Sequence, residues 1–217
     1  MTGPDAAAER RHVVTSLTTN VTRFFREPHH FEHLRSHVIP ALLSDRSGGG
    51  RIRFWSAACS TGQEAYSVAA VIAALLPNGA RPDVKVLATD IDPVVLERAQ
   101  AGRYESIDGV PPEFRRWFRR DGDAWLVDPL LRELIAFRPL NLNGPWPMKG
   151  PFDAVFCRNV AIYFDQQMQN RLWSAFAEII TPDGILYIGH SERVGGPAAA
   201  SFDNTGITTY RRRSRLP

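Results

Sequence analysis

Two acidic side chains follow predicted buried strands, at positions where they could bind a small cofactor. Glu64 lies in FWSAACSTGQEAYS, a segment that predicts a strand, a short loop of small residues and the start of a helix. Asp90 lies at the end of the next predicted strand, VKVLATDID. In open α/β sheets, ligands bind outside the carboxyl ends of the strands, where such loops meet. The two carboxylates therefore predict a binding site at that edge of a sheet.

The loop that carries Glu64 does not fit the phosphate-binding patterns. It has a single glycine, Gly62, whereas a dinucleotide fingerprint needs three, and no lysine follows as it does in a P-loop. Small residues take the place of the missing glycines: Ala57, Ala58, Cys59 and Ser60. The loop therefore predicts a ligand that is neither a pyrophosphate nor a triphosphate.

The chemistry of the two acids narrows the choice of cofactor. An acid at the end of the second strand commonly accepts hydrogen bonds from the hydroxyls of a ribose, so Asp90 indicates an adenosine-type cofactor. A carboxylate at Glu64 would repel a phosphate but would suit a cationic amino-acid group or a sulfonium. Together the two acids favour S-adenosylmethionine over NAD. The alternative for Glu64 is an acid that only stabilises the N-terminus of its own helix.

Strand and helix patterns alternate along most of the chain, which predicts an α/β fold with a mostly parallel sheet covered on both faces. Strands are predicted at RIRFWSAA, VKVLATDID, LIAFRPL, FDAVFCRNV and GILYIG, with a last, edge strand at TTYRR. Helices are predicted at residues 10–17, from Pro28 onward, and at 63–76, 93–101 and 166–180.

The interval at about 104–140 breaks this alternation. It contains PPEF, the basic and aromatic run FRRWFRR, an Asp-Gly turn at Asp121 and Gly122, and AWLVDPLLREL. We interpret FRRWFRR as a helix and the rest as short antiparallel strands. The interval is therefore predicted to be a small inserted subdomain.

Bulk composition limits the classes of function. The chain is 44% hydrophobic and 23% charged, as is typical of a soluble globular protein, and its net charge of +3 is too small to indicate nucleic-acid binding. We expect no secretory signal and no membrane insertion, because the first residues lack an apolar region and the longest apolar run is too short to cross a bilayer. Only two cysteines occur, which indicates a reducing, cytoplasmic compartment. No metal is expected, because His33 and His37 have no acidic partner in register.

Six segments in order resemble the motifs of the CheR family of chemotaxis receptor methyltransferases. They are TTNVTRFFRE, FWSAACSTGQEAYS, ATDIDPVVLERAQAGRY, PLNL, PFDAVFCRNVAIYFD and GHSE, and the resemblance extends from about residue 17 to residue 210. It implies a Rossmann-like, class I S-adenosylmethionine-dependent methyltransferase fold with a seven-stranded sheet and a small inserted antiparallel β-subdomain. It also implies methyl transfer to glutamate side chains of chemoreceptors, which serves adaptation in chemotaxis signalling.

The resemblance implies roles for individual residues. Glu64 is expected on the methionine amino group, Asp90 on the ribose, and Asn141 near the adenine. Arg26 and Tyr163 are expected to be catalytic, by positioning the substrate carboxylate. The full set of expected cofactor-binding residues is Asn20, Thr22, Arg26, Ala58, Glu64, Asp90, Asn141, Leu142, Arg158 and Asn159. No general base is needed, since a glutamate with a pKa of ~4.3 is already ionised at neutral pH.

The chain departs from the family pattern in two places. Family members carry a helical N-terminal domain, but only residues 1–19 precede the N-x-T-x-FF motif here. We therefore expect that domain to be largely missing, with a residual helix or linker at 1–19 and a methyltransferase domain at 20–217. In the cofactor loop, Gln63 and Ala65 stand where the family has Glu and Pro, while Glu64 is retained.

The identity of the partners stays open at this point. The expected partners are the cytoplasmic helices of chemoreceptors. The basic insertion has two interpretations, which are a docking site for a receptor C-terminal peptide and a small local core with a solvated basic face. The alternative function is a regulatory module that binds S-adenosylmethionine, or a methyltransferase for a different acceptor.

Overall fold

A computed structural model describes residues 22–46, 49–76 and 82–214. The predicted helix at 10–17 and the candidate residue Asn20 lie outside these residues. Within the three ranges, none of the helices combines the length and the hydropathy that a membrane span requires.

The strands form two sheets. In chain order they are β1 (Arg51–Ala57), β2 (Asp83–Asp90), β3 (Arg103–Tyr104), β4 (Phe118–Asp121), β5 (Ala124–Val127), β6 (Ile135–Pro139), β7 (Phe152–Cys157), β8 (Ile180–Ile188), β9 (Phe202–Gly206) and β10 (Thr209–Arg212). The large sheet has the order β6-β2-β1-β7-β8-β10-β9, and the small one the order β3-β5-β4. In the large sheet, β10 runs in the opposite direction to the other six strands. The predicted α/β fold, with a seven-stranded sheet and a small antiparallel sheet, is confirmed.

Three of the six α-helices in the described ranges begin at an aspartate cap. They are α1 (Pro28–His33), α2 (Ile39–Asp45), α3 (Gln63–Leu75), α4 (Pro93–Ala101), α5 (Pro129–Leu134) and α6 (Gln166–Ile179), and a π-helical stretch at Leu34–Val38 joins α1 to α2. The side chains of Asp92, Asp128 and Asp165 accept backbone N–H groups at the starts of α4, α5 and α6. Such caps satisfy donors that have no partner inside the helix.

The two faces of the large sheet bury separate clusters of side chains. Phe54 and Trp55 are neighbours on β1, so they point to opposite faces. Phe54 packs in a cluster with α1, α3 and the insertion, whereas Trp55 packs with α6 and the strands β9 and β10. Helices thus cover both faces of the sheet, as the alternation of strands and helices predicted.

The strand order places a crevice at one edge of the sheet. The chain builds β1, β2 and β6 outward in one direction and then returns to lay β7 on the other side of β1. Loops that leave the carboxyl ends of β1 and β7 therefore diverge to opposite faces. Ligands in open α/β sheets bind at this point of reversal.

The insertion differs from the prediction in the conformation of one run and in the place of β6. The run FRRWFRR was predicted as a helix, but a 3-10 helix at Pro112–Trp117 ends before β4 begins at Phe118. β4 and β5 form a hairpin around the predicted Asp-Gly turn. Phe24 contacts the ring of Phe118 edge-on, with ring centroids 5.1 Å apart, so the insertion packs against the chain that enters α1. β6 lies inside the interval predicted as the insertion, at about 104–140, but it is a strand of the large sheet.

The C-terminal strands also differ from the prediction. TTYRR was predicted as an edge strand, but β10 lies between β8 and β9. β9 was not predicted, because FDNTG offers only Phe202 as a buried apolar residue. The strand predicted at GILYIG begins earlier, at Ile180, and β8 bulges between Ile180 and Ile185 where it pairs with β7.

A single glycine controls the join between β1 and α3. Gly62 has φ +94°, and a Cβ atom there would lie 2.8 Å from the Cβ of Ala99. Gly122 offers a matched control, because its φ is +59° but nothing lies within 4 Å of an added Cβ.

We expect Gly62→Ala to lower the free energy of unfolding by about 3 kcal/mol, because backbone strain and steric overlap add. Gly122→Ala should cost about 1 kcal/mol, because it adds strain alone. Urea unfolding of both variants measures the difference. Equal losses would show that the contact with Ala99 does not constrain the loop.

Candidate functional site

A cavity of about 570 Å³ opens at the carboxyl ends of β1, β2, β6 and β7. Its volume is in the range of small-molecule sites in proteins. Ten of the predicted site residues line it: Thr22, Arg26, Ala58, Glu64, Asp90, Asn141, Leu142, Arg158, Asn159 and Tyr163. The structure therefore brings these residues together around one space, while their individual roles stay predictions.

The loop between β1 and α3 is bound to the end of β2. Ala58 and Ser60 have φ values of 62° and 50°, which side-chain-bearing residues rarely adopt. Two backbone donors hold this conformation: Cys59 N donates to Thr89 O at 2.8 Å, and Ser60 N donates to the carboxylate of Asp90 at 2.8 Å. The loop is therefore fixed by the strand that supplies the second acidic residue.

Asp90 is held as a buried acceptor. Its residue is 7% exposed, and its Oδ1 accepts the N–H of Asp92 at 3.0 Å while Oδ2 accepts that of Ser60. Burial raises the pKa of Asp90 above its usual value, and the backbone donors oppose this effect. A backbone donor at Ile91 acts on the same carboxylate. Because the side chain lines the cavity, it can also accept a hydrogen bond from a ligand.

Glu64 is bonded on both carboxylate oxygens. The hydroxyl of Ser56 donates to Oε1 at 2.6 Å, and Nη1 of Arg158 donates to Oε2 at 3.0 Å. Burial raises the pKa of Glu64, while Arg158 and Ser56 act in the opposite direction. A cation that approached from the cavity would favour the ionised form further. Because its side chain bonds to strand ends, Glu64 does more than stabilise the N-terminus of α3.

Arg158 lies between two carboxylates. Its side chain is 2% exposed, and its guanidinium contacts Glu64 on one side and Glu27 Oε2, at 3.1 Å from Nη2, on the other. It also donates to the backbone carbonyl of Arg26, which ties the segment before α1 to the cavity. Burial alone would raise the pKa of Glu27, but Arg158 and donors from His190 lower it below its usual value.

Histidines approach Glu27 from α1. Glu27, His29 and His30 each offer a ligand atom within 4.8 Å of the others, an arrangement that could hold a metal ion and that the sequence did not indicate. Arg158 already contacts the same Glu27 oxygen that lies 3.6 Å from Nδ1 of His30. A guanidinium at that distance repels a divalent cation. The expected absence of a metal stays a prediction.

The mouth of the cavity carries exposed apolar side chains. Tyr163 is 57% exposed, Ile162 46% and Ile91 43%, and all three line the cavity. Sequence reasoning selected Tyr163 but missed the two isoleucines. Only their places in the sequence could have identified them, since Ile91 follows Asp90 and Ile162 precedes Tyr163. Large apolar groups exposed together mark a surface that contacts another molecule.

Other lining residues were absent from the predicted site residues, although Cys59 and Ser60 had been placed in the predicted ligand loop. These other lining residues are Arg23, Cys59, Ser60, Leu140, Val160 and Phe164. Each lies within a segment that had been selected, next to or near a predicted residue. A second omission is Glu27, which had been quoted in the motif FFRE without a role.

Comparison with known proteins gives a family match and several similar chains. The sequence model for the CheR methyltransferase, SAM binding domain, matches residues 20–211. A probable chemotaxis protein methyltransferase of Rhizobium etli is 52% identical over 215 residues, which cover 96% of this chain and 80% of that protein. The chemotaxis protein methyltransferase of Escherichia coli is 43% identical and covers 86% of this chain and 65% of its own length. The chemotaxis protein methyltransferase of Klebsiella aerogenes is 42% identical, and the match covers 94% of this chain and 70% of that protein.

His30 is buried beside the ion pairs of Arg158, and we expect it to make the stability of the protein depend on pH. Burial, followed by the charges of Arg158 and His29, lowers the pKa of His30 to about 3. An unfolded histidine titrates near ~6.5, so the unfolded state binds more protons between these two values. Stability from His30 is therefore lost as the pH falls below ~6.5.

The variant His30→Gln keeps a donor for Thr208 but cannot take up a proton. Between pH 7 and pH 5, we expect its free energy of unfolding to fall by about 2 kcal/mol less than that of the wild type. Urea unfolding at several pH values measures this. His37→Gln is the comparison variant, because the exposed His37 stacks on His33 and a changed slope there would report that second pair instead of His30. Parallel pH curves for wild type and His30→Gln would contradict the assignment.

Proposed function

Because this chain belongs to the CheR methyltransferase family, we propose that it transfers a methyl group from S-adenosylmethionine to glutamate side chains of chemoreceptors. The observation that carries this proposal is the cavity, where the acids Glu64 and Asp90 line the wall and Tyr163 lies at the mouth. The products are S-adenosylhomocysteine and a glutamate methyl ester. A cytoplasmic location and a methyltransferase domain at 20–217 belong to the same proposal.

The residues of the cavity fit this cofactor. S-Adenosylmethionine supplies a methyl group made electrophilic by its sulfonium. Glu64, whose pKa is raised by burial, would be stabilised by an ammonium group, and the carboxylate of Asp90, which lines the cavity, would accept a ribose hydroxyl. Asn141 and Leu142 line the same cavity beside the end of β6, on the side of Asp90, and would contact the adenine. The apolar side chain of Ile91 offers a surface for a flat ring.

The chain's own residues would act on the acceptor by positioning it. A glutamate carboxylate is already ionised at neutral pH, so no residue has to remove a proton. Charge is lost along the reaction path, because a carboxylate and a sulfonium become two neutral groups. Water stabilises the charged reactants, so a site that replaces water and fixes the line of approach favours the reaction. We assign this positioning to Arg26 and Tyr163, together with Asn159.

A finer proposal concerns the insertion. β4 is an outer strand of the small sheet, and among the described residues no strand pairs with its outer edge. An extended peptide could therefore add to the sheet there. Arg119 and Arg120 on β4 are exposed and would attract an acidic segment. We propose a receptor C-terminal peptide as the occupant. The competing interpretation is a local core with a solvated basic face, which the contact of Arg116 with the Trp117 ring, at 4.8 Å, favours.

Transfer of labelled methyl from S-adenosylmethionine to candidate chemoreceptors tests the function. We expect label that is released by mild base, because carboxyl methyl esters hydrolyse readily. Base-stable label would refute the glutamate assignment and indicate another acceptor. Binding of the cofactor without transfer to any receptor would instead favour a regulatory module.

Removing the charge of Glu64 should weaken cofactor binding. We expect Glu64→Gln to raise the dissociation constant of S-adenosylmethionine about 10- to 100-fold, because a hydrogen bond to a charged group contributes about 1.5–3 kcal/mol. Isothermal titration measures the constant. Glu97→Gln, an exposed residue on α4, is the matched control and should bind as the wild type does. Unchanged binding by Glu64→Gln would remove Glu64 from the cofactor site.

Removing the hydroxyl of Tyr163 should affect the reaction and spare cofactor binding. We expect Tyr163→Phe to lower kcat about 10- to 100-fold, because one lost hydrogen bond to a charged group costs about 1.5–3 kcal/mol. Its affinity for S-adenosylmethionine should stay within about twofold of the wild type. Initial rates of methyl transfer and calorimetric titration separate the two effects. Tyr210→Phe on β10 is the control and should keep the wild-type rate. A wild-type rate for Tyr163→Phe would refute the positioning role of the Tyr163 hydroxyl.

A further inference from the structure

One buried carboxylate outside the predicted site binds four backbone N–H groups. Glu192 is 5% exposed. Its Oε1 accepts the N–H groups of Val160 at 2.9 Å and Ala161 at 2.7 Å. Its Oε2 accepts those of Asn159 at 3.0 Å and Gly189 at 2.5 Å. A single side chain therefore joins the end of β8 to the segment that follows β7.

This segment needs an external acceptor because of its own conformation. After β7 the chain turns sharply, with Asn159 at φ 59°, and enters a short 3-10 helix at Ala161–Tyr163. The N–H groups at the start of such a turn have no backbone partner within it. The carboxylate of Glu192 supplies that partner to three consecutive residues. Hydrogen bonds to a charged acceptor are about twice as strong as neutral ones.

A close backbone contact fixes the same segment from the other side. A Cβ atom at Gly189 would lie 2.8 Å from the backbone N of Asn159 and 2.5 Å from its Nδ2. The backbone of Gly189 therefore packs directly against Asn159. Gly189 and Asn159 are thus held together by direct contact and by the carboxylate of Glu192, which binds the N–H groups of both, so a shift of Glu192 would move Asn159 as well.

The segment held in this way carries much of the cavity wall. Asn159, Val160, Ile162 and Tyr163 all line the cavity, and Tyr163 N donates to Val160 O at 3.1 Å. The position of the exposed Tyr163 ring thus depends on a turn whose first N–H groups donate to the carboxylate of Glu192. Glu192 is not among the residues that line the cavity.

We propose that Glu192 is a positioning residue for methyl transfer, which acts by fixing the turn that carries Asn159 and Tyr163. The proposal rests on the function proposed above. A small displacement of groups that orient the reactants can lower a rate by about 100-fold, whereas binding of a cofactor that other segments also contact is less sensitive. Glu192 should therefore affect kcat more than cofactor affinity.

The test compares Glu192→Gln with the wild type in methyl transfer to a chemoreceptor. Glutamine keeps the shape of the side chain but loses one acceptor oxygen, so two backbone donors lose their partner. We expect kcat to fall about 10- to 100-fold and the dissociation constant of S-adenosylmethionine to rise less than about threefold. Asp128→Ala, which removes the cap of α5 away from the cavity, is a control for lost stability and should keep its kcat.

A double-mutant cycle separates positioning from a general structural role. If Glu192 acts through the turn, Glu192→Gln should lower kcat much less when Tyr163→Phe is already present. Glu192→Asp keeps the charge on a shorter side chain and should restore part of the rate, and it serves as the test if the glutamine variant does not fold. Additive effects on kcat, or equal losses in kcat and cofactor affinity, would overturn the proposal. Absence of transfer by the wild type would refute the proposed function as well, whereas an active wild type with an unaffected Glu192→Gln refutes only this inference.

Discussion

The ion pairs of Arg158 join the parts of the protein that form the cavity. Glu27 precedes α1, Glu64 lies in the first turn of α3, and Arg158 follows β7. All three side chains are largely shielded from water, so each charge depends on the others. Removing one partner of a buried pair costs about 3–5 kcal/mol, because it leaves an uncompensated charge in a medium of low polarity. Three segments that are distant in sequence are therefore held in one arrangement.

The balance of charge in this network explains the composition of the β1–α3 loop. Two ionised carboxylates and one guanidinium carry a net negative charge, and burial raises the pKa of Glu64. A phosphate would add further negative charge, whereas an ammonium would relieve the imbalance. Several glycines and a lysine would serve a phosphate, and this loop has neither. The loop instead has small side chains and one acid, as suits a cationic ligand.

Local patterns were sufficient to predict most elements and the two acids of the cofactor loop and β2. Glu64 and Asp90 could be found because each lies at a strand end, and α4 could be bounded because Asp92 and Pro93 mark its start. Glu27 and Glu192 could not be assigned roles, since their partners lie far away in sequence: Arg158 for one and Asn159 for the other. FRRWFRR was misassigned because aromatic residues occur in helices and strands alike, and the hairpin partner β5 decides its conformation. Sequence periodicity describes one element at a time, whereas buried carboxylates are placed by contacts between elements.

Backbone strain in this protein is concentrated where the cavity requires fixed geometry. Phe25, Glu27, Ala58, Ser60 and Asn159 all have positive φ, and they lie on the segments that surround the cavity. Each such residue is unfavourable by itself, and it persists only when its surroundings over-determine the conformation. Here the determinants can be identified: Arg158 binds the carbonyl of Arg26, Asp90 binds Ser60, and Glu192 binds Asn159. A site that catalyses by positioning, without a proton transfer of its own, depends on geometry that is set before the reactants arrive. Buried charged side chains with backbone partners hold these strained segments in place, so they set the shape of the cavity before any ligand binds.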